Sequence, residues 1–500
     1  MFNNIDFSKL FQLFVFDPHD PLLFSTSFFL FFFFALLIFY RLFAFNKNLR
    51  IFTLLIFSLF FYYKAAGEYF VILIASAIVN YYAGKFIAAI EPGKLKRRLV
   101  FYLALLLNLG TLFYFKYTNF FIEIVNSIHT GTFSPLDIFL PIGISFYTFK
   151  ALSYVIDIYL ETFEPVHSFR DFSLFIFFFP NVLIGPIDRA SNFLPQVQGD
   201  QSITKEDLGK ALFLIMLGLL KKTVVADYIS LNFVDRVFES PLRFTGFENL
   251  MALYGYAIQL YCDFSGYTDM ALGIALLLGF NLMDNFNWPF KATSIADFWR
   301  RFHISMSSWL LDYTFKPLQI KFRNLKIYGN ALALMITFIA IGLWHGASWM
   351  FLFFGTLHGF YVVVSIFTKK IKKKFFDAVG LTGTRFLRIV QIVITFHLLV
   401  FAWLFFRAPD FTTAFNMLGQ IFNFFHADII PQFVKGYTYI LGLMILVLVL
   451  HSLPESWRYK LESVVVKTPM IGKAVLLAFV IWIAIQAKSA DLQPFLYFKF

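Results

Sequence analysis

Cysteine and charge are both scarce in this chain. A single cysteine, Cys262, among 500 residues excludes an internal disulfide framework and any zinc site built on several thiolates. Charged residues make up 14% and hydrophobic residues 59%, against roughly 25% and 45–50% in ordinary globular proteins. That balance excludes a soluble domain and indicates a polytopic membrane protein. Familiar catalytic signatures are also missing. There is no GxSxG elbow (Ser265 stands in "DFSGY"), no P-loop, no HExxH and no GxGxxG opening a strand-to-helix unit. No metal site is expected, because His345 and His358 are too far apart for one helical face and no carboxylate–histidine spacing recurs. The N-terminal stretch has neither the basic start nor the small-residue cleavage site of a signal peptide, and Asp17, His19 and Asp20 interrupt it. The first spanning segments are therefore expected to act as insertion signals.

What the chain has in abundance is phenylalanine, 74 residues, and a net charge of +12. Its lysines and arginines are gathered in short clusters between apolar runs: "KLKRR" at Lys94–Arg98, Lys221–Lys222, Arg300–Arg301, Lys321–Lys326 and "KKIKKK" at Lys369–Lys374. Such clusters mark the cytoplasmic ends of spanning helices and meet anionic lipid, so the bilayer, not nucleic acid, is the expected partner. Windows of about 20 apolar residues predict helices at Pro21–Phe45, Ile51–Tyr63, Glu68–Ile90, Leu99–Tyr117, Ile138–Leu160, Asp171–Pro186, Leu208–Ile229, Leu250–Phe280, Asn330–Trp344, Trp349–Phe367, Phe386–Phe406, Tyr437–Leu453 and Lys473–Ala487. The total is roughly 11 to 13 transmembrane or re-entrant helices, since Ile51–Tyr63 is short for a span and Leu250–Phe280 is long enough to be broken. The expected fold class is all-α. No fixed-period repeat or long linker divides the chain, and the natural sections are N-terminal helices (1–137), a core (138–367) and C-terminal helices (368–500).

The middle section differs in kind. "LPIGISFYTFKALSYVIDIYL" places Ser145, Lys150, Ser153 and Asp157 in an apolar run, and "LYCDFSGYTDMALG" places Asp263, Ser265, Thr268 and Asp269 in another. Taken singly, each carboxylate reads more readily as a cap or structural pair than as chemistry. Among nine histidines, His19, His129, His167 and His426 read as loop residues, and His397 and His451 sit in or near apolar helices without polar company. His345 and His303 stand out. His345 lies in "GLWHGAS", at the turn between two apolar runs bracketed by Lys321–Lys326 and Lys369–Lys374. With both clusters cytoplasmic, the chain goes in and returns, with this turn deep in the protein. In Asp297–Asp312, "DFWRRFHISMSSWLLD", a helical spacing lets Arg300 and Arg301 pair with Asp297. An amphipathic interface helix and a site for a phosphate-rich anion fit this segment equally well. A buried, neutral imidazole suits proton abstraction from an alcohol. It suits proton relay in a transporter as well, and residue chemistry alone leaves both open.

Five stretches, taken together and in order, resemble the membrane-bound O-acyltransferase family, in its bacterial alginate O-acetyltransferase branch, and more distantly the teichoic-acid D-alanyl transferases. They are "PIGISFYTFKALSYVIDIY" (Pro141–Tyr159), "FFPNVLIGPIDRASNFLPQ" (Phe178–Gln196), "YCDFSGYTDMALGIALLLGF" (Tyr261–Phe280), "NFNWPFKATSIADFWRRFHISMSSWLLDY" (Asn285–Tyr313) and "GLWHGASWMFLFFGTLHG" (Gly342–Gly359). The resemblance implies a helix bundle around a central tunnel, a cytoplasmic thioester donor (acetyl-CoA or another acyl thioester, with no bound cofactor) and a hydroxyl acceptor on an exported or cell-surface polysaccharide. It implies His345 as the catalytic histidine and His303 as a second, orienting one. It places the protein in the bacterial inner membrane, with a periplasmic SGNH-type acetyltransferase as a further partner. Arg300, Arg301 and Lys291 are expected to hold donor phosphates, Trp299 and Trp344 to wall the channel, and Asp297, Ser265 and Asp269 to complete the substrate site. One departure concerns the stretch after Asp312-Tyr313: "TFKPLQIKFRNL" replaces a glycine-rich basic loop, "PLGG" then Arg, common in polysaccharide-acetylating relatives. It bears on the identity of donor or acceptor. D-alanyl transfer from an acyl carrier protein and, outside the class, a transporter or flippase are the alternatives.

Overall fold

The computed structural model describes residues 12–18, 21–129, 133–199 and 202–487. His19 and Asp20, and the first eleven residues of the stretch read for a signal peptide, lie outside them. The architecture is all-α, and six helices among the described residues are long and apolar enough to cross a membrane. A seventh candidate is the pair Ala427–Gly436 and Thr438–Ser452, bent by 92°. The chain separates into two compact units, Met1–Ala211 with Met270–Met283, and Leu212–Asp269 with Asp284–Phe500.

In the first unit, Asn46 starts the helix Lys47–Ala66 by accepting the backbone N–H groups of Asn48 and Leu49 at 2.9 and 3.3 Å. The helix breaks at Gly67, whose φ of 57° only glycine adopts without strain, and resumes as Phe70–Ala89. The short apolar run Ile51–Tyr63 is thus one arm of a longer apolar segment, Lys47–Ala89. Phenylalanine fills this unit: Phe179 packs within 4.7 Å of Phe57 and 5.5 Å of Phe61, ring centre to ring centre. Several polar residues inside its helices pair with one another. The Asn80 and Asn108 amides bond reciprocally at 3.0 and 2.8 Å, and the fully buried Lys150 donates to Asn181 Oδ1 at 2.8 Å. Asp171–Pro186 is not a continuous helix: it resolves into Phe169–Phe177 and Phe179–Val182, since Pro180 lacks the N–H that would continue the ladder.

A further contrast with expectation starts in the second unit. Helix Gly246–Leu277, long enough to suggest a break, runs unbroken for 32 residues, and the carboxylates within it find partners outside it. Lys222 bonds Asp263 at 2.6 Å and Asp227 at 2.8 Å, and Lys221 bonds Asp269 at 2.7 Å. The irregularity sits in the facing chain, where Leu220–Asp227 and Ser230–Val234 form wide π turns. Gly266 permits the approach: a Cβ there would stand 2.8 Å from the Gly218 carbonyl oxygen.

Candidate active site

The helices Lys326–His345 and Trp349–Ala378 form an antiparallel hairpin closed by Gly346–Ser348, the in-and-back path expected from the flanking basic clusters. Their backbones nearly touch. A Cβ on Gly342 would lie 2.2 Å from the Phe351 carbonyl oxygen, and one on Gly355 2.3 Å from that of Phe338. Ser348 caps the return helix by accepting from the Phe351 N–H. His345 is the last residue of the first helix, fixed at the tip of this pair and 5% exposed. Its ring packs edge-on to Trp344 at 5.0 Å, Phe406 at 5.0 Å and Phe354 at 5.9 Å.

The Trp344 indole also meets the ring of His303, at 5.5 Å. The two histidines singled out in the sequence therefore share one tryptophan, although 42 positions separate them. His303 does not lie on a continuous amphipathic helix. Asp297–Asp312 divides into Ile295–Trp299, a break, Ile304–Leu310 and a π turn at Leu311–Phe315. The break has a cause in Asn285. Its side-chain oxygen accepts from the Ser305 N–H at 3.1 Å, the Ser305 hydroxyl at 2.9 Å and His303 Nδ1 at 3.3 Å. An antiparallel bridge joins Phe286 to Phe302. Together they draw His303 into the left-handed region, at φ 51°. A backbone N–H can only donate, so the Asn285 atom facing Ser305 is the oxygen, His303 Nδ1 is the donor, and Nε2 carries the lone pair.

Burial pushes the His303 pKa from 6.5 down to about 3. The unfolded chain binds a proton here below about 6.5 while the native imidazole stays neutral, so this contribution to stability is full above 6.5 and declines as pH falls. By pH 5 the loss amounts to about 2 kcal/mol. The drop in melting temperature between pH 7 and pH 5 is expected to be smaller in His303→Asn than in the wild type, and equal drops would count against a neutral buried imidazole.

The other expected site residues fall into two groups. Trp299 lies beside the histidines' elements, its Nε1–H donating to Nδ1 of the fully buried His358 at 3.2 Å. An indole N–H only donates, so His358 takes the opposite tautomer, protonated at Nε2. Ser265 is buried next to Phe264, whose ring packs 4.7 Å from His303. Asp269 and Asp297, by contrast, are committed to structure. Asp269 pairs with Lys221. Asp297 accepts from the Thr293 N–H at 3.1 Å and from Arg301 Nε at 3.0 Å, while Ser294 caps its own N–H. Arg300 does not share this pair: the helix stops at Trp299, and its Nε turns back to the Ala296 carbonyl. Lys291 donates to the Leu453 carbonyl at 2.6 Å and lies 4.2 Å from the Trp288 ring centre.

Sequence reading passed over four residues that this geometry brings forward. His358, thirteen positions from His345, shows no metal-ligand spacing in the sequence; Trp299 is what gives it a partner. Asn285 looked like one polar residue among several in "DNFNWP". His397 and His451 do have polar company: His397 Nδ1 donates to Val393 O at 2.8 Å and its Nε2 meets the Tyr254 hydroxyl at 2.9 Å, while His451 Nε2 accepts from the Phe290 N–H at 3.1 Å. Apart from Val393, four residues back on the helix of His397, these partners come from distant elements that no local spacing signals.

Residues 59–407 match the membrane-bound O-acyltransferase family. The chain belongs to that family. It is 34% identical over 378 residues to a peptidoglycan O-acetyltransferase of Helicobacter pylori, covering 70% of this chain and 69% of the relative. It is 36% identical over 364 residues to a probable alginate O-acetylase of Pseudomonas aeruginosa, covering 71% and 66%. A teichoic acid D-alanyltransferase of Bacillus subtilis is 32% identical over 282 residues, covering 54% and 69%. As a member of this family the protein is a multi-pass membrane O-acyltransferase, and both histidine-bearing segments fall inside the matched region.

Proposed function

We propose that the protein moves an acetyl group from acetyl-CoA, on the cytoplasmic side of a bacterial inner membrane, to a hydroxyl of an exported or cell-surface polysaccharide, directly or through a periplasmic SGNH-type acetyltransferase. What supports this reading is the convergence of His345, Trp344 and His303 in one buried cluster, in a chain similar to polysaccharide O-acetylases. Neutral His345 takes the proton from the acceptor hydroxyl as its oxygen attacks the thioester carbonyl. The tetrahedral intermediate collapses and expels the thiolate, which the imidazolium then protonates. His303, locked in its Nδ1–H tautomer, orients through Trp344 without taking the proton. Lys291, Arg300 and Arg301 hold the donor's phosphates, with Arg301 aimed by Asp297. Trp299 walls the channel, braced by His358.

The test offers the purified protein in nanodiscs two donors, acetyl-CoA labelled in the acetyl group and a D-alanyl thioester on a carrier protein, with an uronate or glycan oligosaccharide as acceptor. Label leaving CoA and appearing on sugar supports the reading. Turnover of the carrier thioester alone would move the protein to D-alanyl transfer, which the Bacillus subtilis relative makes the second reading. Movement of substrate across the bilayer without thioester cleavage would indicate a transporter. His303→Ala is expected to slow transfer less than removal of His345, and full activity would return His303 to a purely structural role.

A further inference from the structure

The family match ends at residue 407, yet the chain beyond it reaches back to the segment that bears the site's cations. Helix Thr438–Ser452 places the buried His451 at its last turn. The ring stands 5.0 Å from Phe290, 5.1 Å from Tyr261 and 5.3 Å from Trp288, centre to centre. The N–H of Phe290 donates to His451 Nε2 at 3.1 Å, which fixes the imidazole with its proton on Nδ1. Two residues further on, the Leu453 carbonyl accepts one of the three ammonium protons of Lys291, leaving two for a ligand.

The turn so held is strained. Trp288 has a φ of 49°, a conformation that bulky side chains adopt only where the surroundings over-determine it. On its other side, the Asn287 N–H donates to the Arg301 carbonyl at 2.8 Å, and the Arg301 guanidinium donates to the Asn287 carbonyl at 3.4 Å. Burial, with the nearby guanidinium groups of Arg301 and Arg388, lowers the Lys291 pKa against an opposing effect of Glu455. Arg388 lies in the helix Arg385–Arg407, inside the matched region, and Glu455 in the helix Glu455–Lys467 beyond it, so the surroundings of Lys291 are built from both parts of the sequence.

We infer that His451 is a positioning residue: it pins the Asn287–Lys291 turn so that Lys291 and Arg301 face the phosphate-bearing end of the thioester donor. This rests on the donor reading given above. Without the acceptor at Nε2, the Phe290 N–H is left unpaired, the Trp288 conformation loses its support, and the Lys291 ammonium is no longer fixed over the Trp288 ring. The reacting carbonyl is placed by His345, whose ring packs on Trp344, Phe406 and Phe354, none of them in this turn. Loss of positioning therefore weakens donor binding in the ground state and transition state alike, which raises KM and spares kcat.

The experiment compares wild type, His451→Leu and His451→Gln in nanodiscs by steady-state kinetics with acetyl-CoA and by hydrogen–deuterium exchange of the peptide spanning residues 285–292. His451→Leu is expected to raise KM about tenfold with kcat within about twofold, and to speed exchange at the Phe290 amide. Glutamine supplies an acceptor oxygen, so His451→Gln is expected to recover most of both. An unchanged KM in His451→Leu overturns the inference, as does a fall in kcat with KM unaltered. Unchanged exchange at Phe290 overturns it also. If the wild type cleaves no acetyl-CoA, the donor reading fails, and the exchange comparison still decides whether His451 holds the turn.

Discussion

His345→Ala is expected to reduce acyl transfer by about 10²–10⁴-fold, the usual contribution of a positioned general base, in a protein that inserts and purifies as the wild type does. The imidazole ends its helix, where its ring abuts Phe406, Phe354 and Trp344. Truncation opens a cavity lined by aromatic rings and costs stability, but the helix pair is held elsewhere, at Gly342 and Gly355. Melting temperature in detergent separates the two effects: the base assignment requires lost turnover at nearly normal stability. Ser348 is the neighbour through which a covalent acyl-enzyme would run. Its hydroxyl accepts from the Phe351 N–H at 3.4 Å as a helix cap, so Ser348→Ala is expected to cost about 1 kcal/mol of stability and to leave turnover in place. Normal transfer by His345→Ala together with inactivity of Ser348→Ala would replace the general-base mechanism with the covalent one.

The helical fold was legible because long apolar runs broken by basic clusters leave few alternatives in a bilayer. The hairpin around His345 was readable for the same reason, with one apolar run entering and one leaving between Lys321–Lys326 and Lys369–Lys374. The length of Leu250–Phe280 suggested a break, and the helix instead stays whole through Asp263 and Asp269. A carboxylate in an apolar run signals either a broken helix or a buried partner, and the partners Lys222 and Lys221 sit more than forty positions away in sequence. A continuous amphipathic helix, one of two readings of Asp297–Asp312, was lost to Asn285, a residue outside the segment whose single oxygen gathers three donors. In both cases a long-range polar contact outweighed a local pattern. The same physics explains why His451 and His358 looked bland: in each, the partner that gives the ring a defined tautomer is contributed by another element.

Gly355→Val is expected to prevent accumulation of a stable, active protein. In membranes, helices associate through close packing of small residues, because burial of apolar surface gains nothing over lipid. Here the approach leaves no room: the added Cβ would sit 2.3 Å from the Phe338 carbonyl oxygen and 3.0 Å from the Gly342 Cα, both backbone atoms that no side-chain rotation can move. The two helices must separate by more than an ångström, and the displacement is delivered to the end of the hairpin, where His345 meets Trp344. Gly419 provides the comparison. It lies within the helix Phe411–Asn423, and a Cβ there meets nothing within 4 Å, so Gly419→Ala is expected to be neutral or to stabilise by up to about 1 kcal/mol through helix propensity. Yield after detergent extraction, melting temperature and thioester cleavage would be measured for both variants. Normal folding of Gly355→Val would show that the hairpin can open without loss, and the placement of His345 would then have to come from Phe406 and Phe354 instead of from the glycine crossing.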